Sequence, residues 1–130
     1  MASSRKITFP LRGEVWLVSF DPTRGAEIRK TRPALILQNN IANRASPVTI
    51  VAAITSRFDA ELYPTEVLIR TREGGLSADS VALLNQIRSV DRARLIRRLG
   101  RLRPETMANV DRALAVSVGL ISLGRNERRT

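Results

Sequence analysis

At 130 residues the chain has the size of one ordinary domain, and an apolar fraction of 43% suffices for a single core. Lys and Arg number 22 against 12 Asp and Glu, a net charge of +10, which sets up a field that draws polyanions, RNA or DNA first among them. Histidine and cysteine are both absent, which excludes disulfides, thiolate metal sites and every Ser–His or Cys–His nucleophile pair.

In chain order, residues 1–10 are polar and read as a lead-in. Met1 to Lys6 has no apolar stretch behind its charges, so it does not read as a signal peptide. No apolar run approaches the roughly 20 residues that span a bilayer, and the expected location is the cytoplasm. Residues 14–20 alternate as a strand. Asp21-Pro22-Thr23-Arg24-Gly25 is turn chemistry and opens a long basic loop to Arg32. Pro33 starts a strand over 34–38, where its missing N–H does least harm. Residues 39–47 read as a polar connection. Residues 48–54 form an apolar strand expected to be buried on both faces.

A loop over 56–64 carries Phe58 and Tyr63, and short strands follow over 66–70 and 80–88, with Gly74-Gly75 between them. A single helical turn over 91–95 leads to a last strand over 96–102. Pro104 suits a first helical position and Glu105 the first turn. Met107, Val110, Leu114, Val118 and Ile121 fall on one stripe of that helix, expected to face the core, with Gly124 as its stop. Short strands followed by one helix predict a mainly β fold, a small, strongly bent antiparallel sheet or barrel with a C-terminal α-helix. One domain over 11–124 with polar tails at 1–10 and 125–130 is the expected organisation.

The acidic residues are scattered, mostly beside arginines, as in Asp91-Arg92, Asp111-Arg112 and Glu127-Arg128, and read as solvated ion pairs. They offer neither zinc nor magnesium a converging set, so neither metal nor cofactor is expected. Chemistry on a polyanion then falls to arginine and hydroxyls. RNA carries its own nucleophile, the 2′-OH, beside each phosphate. An enzyme needs to align that hydroxyl, stabilise the charge at phosphorus and assist proton movement. Arginine suits the second task, because its planar fork makes two hydrogen bonds to phosphate oxygens and stays charged.

An ordered series of motifs points further: Arg12-Gly13-Glu14-Val15-Trp16, Asp21-Pro22, Gly25-Ala26-Glu27, Lys30-Thr31-Arg32-Pro33-Ala34-Leu35, Gln38-Asn39, Asn43-Arg44, Ala53-Ile54-Thr55-Ser56, Tyr63-Pro64, Asp79-Ser80-Val81, Gln86-Ile87-Arg88 and Val110-Asp111-Arg112-Ala113-Leu114. Over 11–122 the chain resembles the MazF/PemK family of toxin endoribonucleases. The resemblance implies an SH3-like barrel of the MazF/Kid/CcdB kind and a homodimer. It implies sequence-specific, metal-independent cleavage of single-stranded RNA (an mRNA interferase) that leaves 2′,3′-cyclic phosphate and 5′-OH ends. It implies inhibition by an antitoxin that lays an acidic tail across the RNA groove. Carried onto this sequence, the family's catalytic arginine is Arg32 and its catalytic hydroxyl Thr55, with Ser56 able to share that role.

Other residues have two readings each. Glu27 fits a base or a local ion pair. Gln38, Asn39 and Gln86 fit strand-end polar positions or amides that read base edges. Phe58 and Tyr63 fit base stacking or a pin of the loop to the core, and for Tyr63, followed by Pro64, the core is expected. Arg24, Arg29 and Lys30 are expected on backbone phosphates. Two rival functions stand beside the enzyme: a CcdB-like topoisomerase poison that acts by protein contact, and an RNA-binding barrel without turnover. The first needs a bulky apolar end to the last helix. The polar end Gly124 to Thr130 argues against it.

Overall fold

The computed structural model describes residues 9–20 and 31–123. The basic loop expected at 21–30 lies outside them, as do the lead-in through residue 8 and the tail from 124. Six strands, β1 (Glu14–Ser19), β2 (Thr31–Ile36), β3 (Val48–Thr55), β4 (Glu66–Ile69), β5 (Ser80–Asp91) and β6 (Leu95–Arg101), make one antiparallel sheet in the order β4-β5-β3-β2-β1-β6. Two helices, α1 (Asn40–Ala45) and α2 (Pro104–Ser117), complete it. The mainly β fold with a C-terminal helix is as expected from the sequence.

Strand alternation sends neighbouring residues to opposite faces, and both faces are covered. One holds Val15, Leu35, Ile54, Ile69 and Leu84 under α2, which contributes Val110 and Ala113. The other holds a smaller cluster of Val18, Ala34, Ile36, Val51 and Val90, with Trp16, Phe20 and Leu95 against it. The two faces meet in β5, which is long enough to pair with β3 along its whole length and with β4 along its first part. Its register against β3 jumps from Ala52 opposite Ile87 to Ala53 opposite Leu83. Leu84, Asn85 and Gln86 are therefore looped out as a bulge, which bends the strand and re-aims its side chains.

Several expectations needed correction. The polar connection at 39–47 holds α1, because the Asn39 side chain caps the Ala42 N–H at 2.8 Å and the Arg92 guanidinium reaches the Asn43 carbonyl at 2.8 Å. β2 starts at Thr31 rather than at residue 34, since Ser19 and Val18 of β1 already pair with Thr31 and Arg32. β3 is not buried on both faces throughout: Val48 and Ile50 are exposed, while Thr49 and Val51 are buried. β5 continues to Asp91, beyond the expected 88. The helical stripe reaches the core only through Leu114; Val118 is 53% and Ile121 45% exposed. Gly119, not Gly124, ends α2: at φ +80° it sits in a Schellman cap, with the Leu120 N–H bonded to the Ala115 carbonyl at 2.7 Å and the Gly119 N–H to Val116 at 3.1 Å. Among the described residues, Asp91 and Asp111 do not pair with the arginines beside them; Glu127-Arg128 lies outside those residues. Asp111 bonds Arg12 at 2.7 Å, and the Asp91 side chain accepts from the Ala93 N–H at 2.9 Å.

Gly74 and Gly75 are more than punctuation. They form a tight 3-10 turn that crosses β6 backbone against backbone. A Cβ on Gly75 would stand 2.0 Å from the Leu99 carbonyl oxygen, and one on Gly100 would stand 2.6 Å from the Gly74 carbonyl carbon. Beside them the Glu73 carboxylate accepts from the Arg103 N–H at 3.0 Å, at the N-terminus of α2. Burial works to raise the Glu73 carboxyl; the Arg103 N–H, the Thr106 hydroxyl and the Arg103 guanidinium outweigh it and hold the group below its ordinary value.

Candidate active site

The site follows from the β2–β3 register. Ala34 faces Ala53, Leu35 faces Ala52 and Ile36 faces Val51. Beyond that ladder, two residues further on each strand, lie Arg32 and Thr55, and the two side chains line the same clefts. Both side chains belong to the face of the smaller cluster, since they share parity with Ala34, Ile36 and Val51. The ladder between β2 and β3 ends at Ala34 and Ala53. The strand ends are thus released from each other, and space opens on either side of them.

Two adjoining clefts result, of about 560 and 530 Å³, and Arg32, Thr55, Ile54 and Arg57 line both. The first cleft is walled by Phe20, Phe58 and Tyr63, with Gln86, Asp59 and Glu66 as its polar groups. The second is walled by hydroxyls, those of Thr31, Ser56, Ser77 and Ser80, and has no carboxylate among the described residues. One side therefore offers rings and amide or carboxylate groups suited to bases, the other donors suited to sugar and phosphate.

Arg32 is exposed and makes no ion pair among the described residues. A guanidinium left without a carboxylate keeps its donors for an incoming anion. Thr55 is tied more closely. Its Oγ1 accepts from the Arg57 N–H at 3.1 Å and donates to the Arg57 carbonyl over a long 3.4 Å. This turn sets the direction of Arg57, and the weak donor contact leaves the hydroxyl proton able to swing towards a phosphate oxygen. Arg88 lies over the Phe20 ring, 5.1 Å from its centroid, which adds positive charge at the rim of the first cleft. Among the described residues no group of three His, Cys, Asp or Glu converges as a metal site.

The structure brings Arg32, Thr55, Ser56, Phe58 and Gln86 together. It does not bring Gln38 and Asn39 to them. The Gln38 amide donates to the Asn43 side chain at 3.0 Å and to the Val48 carbonyl at 2.9 Å, and Asn39 caps α1. Asn43 is wholly buried and also accepts from the Thr49 hydroxyl at 2.7 Å, so this network is a tether for α1. Arg24, Glu27, Arg29 and Lys30 lie outside the described residues. Tyr63 is 68% exposed in the cleft wall and not in the core: its N–H is held by Glu66 at 2.9 Å and its ring is left to solvent. Arg57 was missed by sequence reasoning, although its place two residues beyond Thr55, on a polar strand end, was a signal. Phe20 and Arg88 could be found only through the sheet, which brings them together from distant strands.

A bent β-sheet with an arginine and a hydroxyl at neighbouring strand ends, beside two polar clefts, carries the donors that a phosphodiester chain needs. Comparison with known proteins gives the family. Residues 11–118 match the model of PemK-like, MazF-like toxins of type II toxin–antitoxin systems. Endoribonuclease EndoA of Bacillus subtilis is 44% identical over 110 residues, which covers 85% of this chain and 95% of the relative. Among solved structures, MazE–MazF of Deinococcus radiodurans aligns with a TM-score of 0.74 and 29% identity, covering 87% of this chain and 98% of that one. A mycobacterial endoribonuclease in complex with its cognate antitoxin aligns at 0.73 and 26% identity, over 87% and 98%. The chain belongs to the PemK/MazF-like toxin family. No helix among the described residues is long and apolar enough to cross a membrane.

Proposed function

We propose that this chain is a sequence-specific, metal-independent endoribonuclease toxin that cuts single-stranded RNA at the phosphate held between Arg32 and Thr55. That it is an endoribonuclease toxin rests on its family and on its likeness to EndoA. The route of cleavage rests on one observation: Arg32 and Thr55 share both clefts, and the arginine is left without an acidic partner among the described residues.

In the proposed step the 2′-oxygen attacks the adjacent phosphorus as its proton leaves. The new O2′–P bond closes the cyclic phosphate, and the P–O5′ bond breaks. The 5′-oxygen leaves with the bond pair and takes up a proton from water. Arg32 clamps two phosphate oxygens with its fork and carries the charge that develops on them. Thr55 donates to a non-bridging oxygen, with Ser56 beside it. Asp59 and Glu66 are carboxylates in the wall of the first cleft and supply acceptors of the right kind for the 2′-OH proton. Rings and the Gln86 amide on the same side suit a flanking base.

The active form in this reading is a homodimer in the cytoplasm, held in check by an antitoxin with an acidic segment. The solved MazE–MazF complexes of the family support that partner. The deciding experiment incubates purified protein with mixed-sequence RNA in EDTA and maps the product ends, beside an RNA with a 2′-deoxy sugar at the mapped position. Cleavage in EDTA to cyclic phosphate, abolished by the deoxy sugar, is the expected result. Intact RNA with binding retained would refute turnover and favour a binder.

A further inference from the structure

Away from the two clefts a third depression, of about 450 Å³, is lined by Arg70, Thr71, Arg72, Glu73, Gly74, Arg101 and Arg103. Four arginines face one carboxylate. That carboxylate is taken: Glu73 accepts from the Arg103 N–H at 3.0 Å and meets the Arg103 guanidinium at 3.5 Å. Arg70, Arg72 and Arg101 are exposed and make no ion pair among the described residues. Like charges gathered without partners repel one another.

Arg72 adds an independent observation. It is the one non-glycine residue among those described with positive φ, at +81°. Its N–H bonds the Leu76 carbonyl at 2.7 Å, and its carbonyl accepts from Gly75 at 3.1 Å, so the turn imposes this conformation. A glycine would hold the same turn without strain. The chain instead keeps a long cation at a position that penalises any side chain, and such outliers cluster where function needs the group.

We infer that Arg70, Arg72 and Arg101 form a second anion site, one that binds backbone phosphates of the same RNA strand outside the segment being cut. This rests on the ribonuclease reading above. The strand register supplies the continuity. Thr55 faces Val81, which faces Leu68, and Arg70 follows Leu68 by two residues on the same side of the strand. Two strand spacings and two residues separate Thr55 from Arg70, about 12 Å between Cα positions. Between them runs the 71–80 loop, closed by the Thr71 N–H on Asp79 at 2.8 Å, and its Ser77 and Ser80 already line the second cleft. Among the described residues the third depression presents neither rings nor amide side chains to read a base, and no large apolar side chains to seat an amphipathic peptide. Phosphates are what remain, and the contact adds affinity without sequence preference.

The test compares a minimal RNA that just spans the cut site with RNAs extended by several nucleotides on the 5′ or the 3′ side. Wild-type protein is set against Arg72→Gly/Arg101→Ala. For wild type, one extension raises kcat/KM several-fold. The double variant loses that gain and cleaves the minimal RNA as wild type does. Its slope of log kcat/KM against log salt falls by about 0.7 for each arginine removed. Its Tm is equal to or above that of wild type, because Arg72→Gly relieves the turn. Equal extension gains in the two proteins would overturn the proposal, and so would loss of affinity for polyglutamate in place of RNA. If wild type cleaves no RNA, the reaction proposed above fails. Anisotropy with labelled minimal and extended RNA still decides this site, since the extension must tighten binding in wild type alone.

Discussion

Under the proposed mechanism, replacing Arg32 separates catalysis from folding. The side chain is exposed at the head of β2, lies beyond the last β2–β3 pair and has no ion-pair partner among the described residues. Arg32→Ala therefore shifts stability by less than about 0.5 kcal/mol, as surface substitutions do. The bound phosphate loses two charge-assisted hydrogen bonds, each worth about 1.5–3 kcal/mol. Together they amount to roughly 3–6 kcal/mol of transition-state stabilisation, or about 10²–10⁴ in kcat. Arg32→Lys keeps the charge and one donor but loses the fork, so its loss is about 10–150-fold. The assay is single-turnover cleavage of a fluorogenic RNA at saturating protein, with a thermal melt of each variant. Near-normal turnover in Arg32→Lys would refute the two-point clamp. A large fall in Tm for Arg32→Ala would refute the claim that the side chain carries no structural duty.

Thr55→Ser should keep most activity, whereas Thr55→Val should lose about 1–2 kcal/mol of transition-state stabilisation, roughly 5–30-fold in kcat; equal rates for the two would remove the hydroxyl from the mechanism. Gly75→Ala places a methyl 2.0 Å from the Leu99 carbonyl oxygen at φ +75°, and about 3–5 kcal/mol of stability should go, whereas Gly119→Ala, with open space around it, costs only the left-handed penalty of about 1–2 kcal/mol. Denaturant midpoints for the two variants check this contrast, and similar values would contradict the crossing. The folded chain holds Glu73 below its ordinary 4.5. Its contribution is therefore complete above that pH and disappears as pH falls through the lower folded value. Urea titrations across the acid range should show wild type losing its advantage over Glu73→Gln there; parallel pH profiles would count against it.

The strands along the chain and the terminal helix were legible because apolar runs punctuated by turn residues mark the strands and a 3.6 period marks α2, whereas the order of the strands in the sheet was not. The Arg32–Thr55 pair was legible only through family motifs, because opposition of two strand ends depends on register, and register is a property of the sheet. α1 escaped notice since its stability lies in an Asn39 cap and a buried Asn43, neither of which has an apolar stripe. Tyr63 was misplaced for a related reason: a ring followed by proline looks like a core anchor until the direction of the strand is known. The helix stop was read at Gly124 on the strength of the stripe. Gly119 closes the helix earlier because its local hydrogen bonds prevail over a pattern that had nothing left to pack against.

The pairing of β6 with β1, which sets Arg101 opposite Glu14, has a consequence for how the protein is born. The first strand to leave the ribosome finds its outer neighbour only when almost the whole chain has followed. Until then β1 is a bare edge, and the cluster behind Trp16 and Val18 is uncovered on one flank. Contacts so distant along the chain form late and slowly. The sheet behind the two clefts therefore gains its β1 edge partner only once β6 has been made.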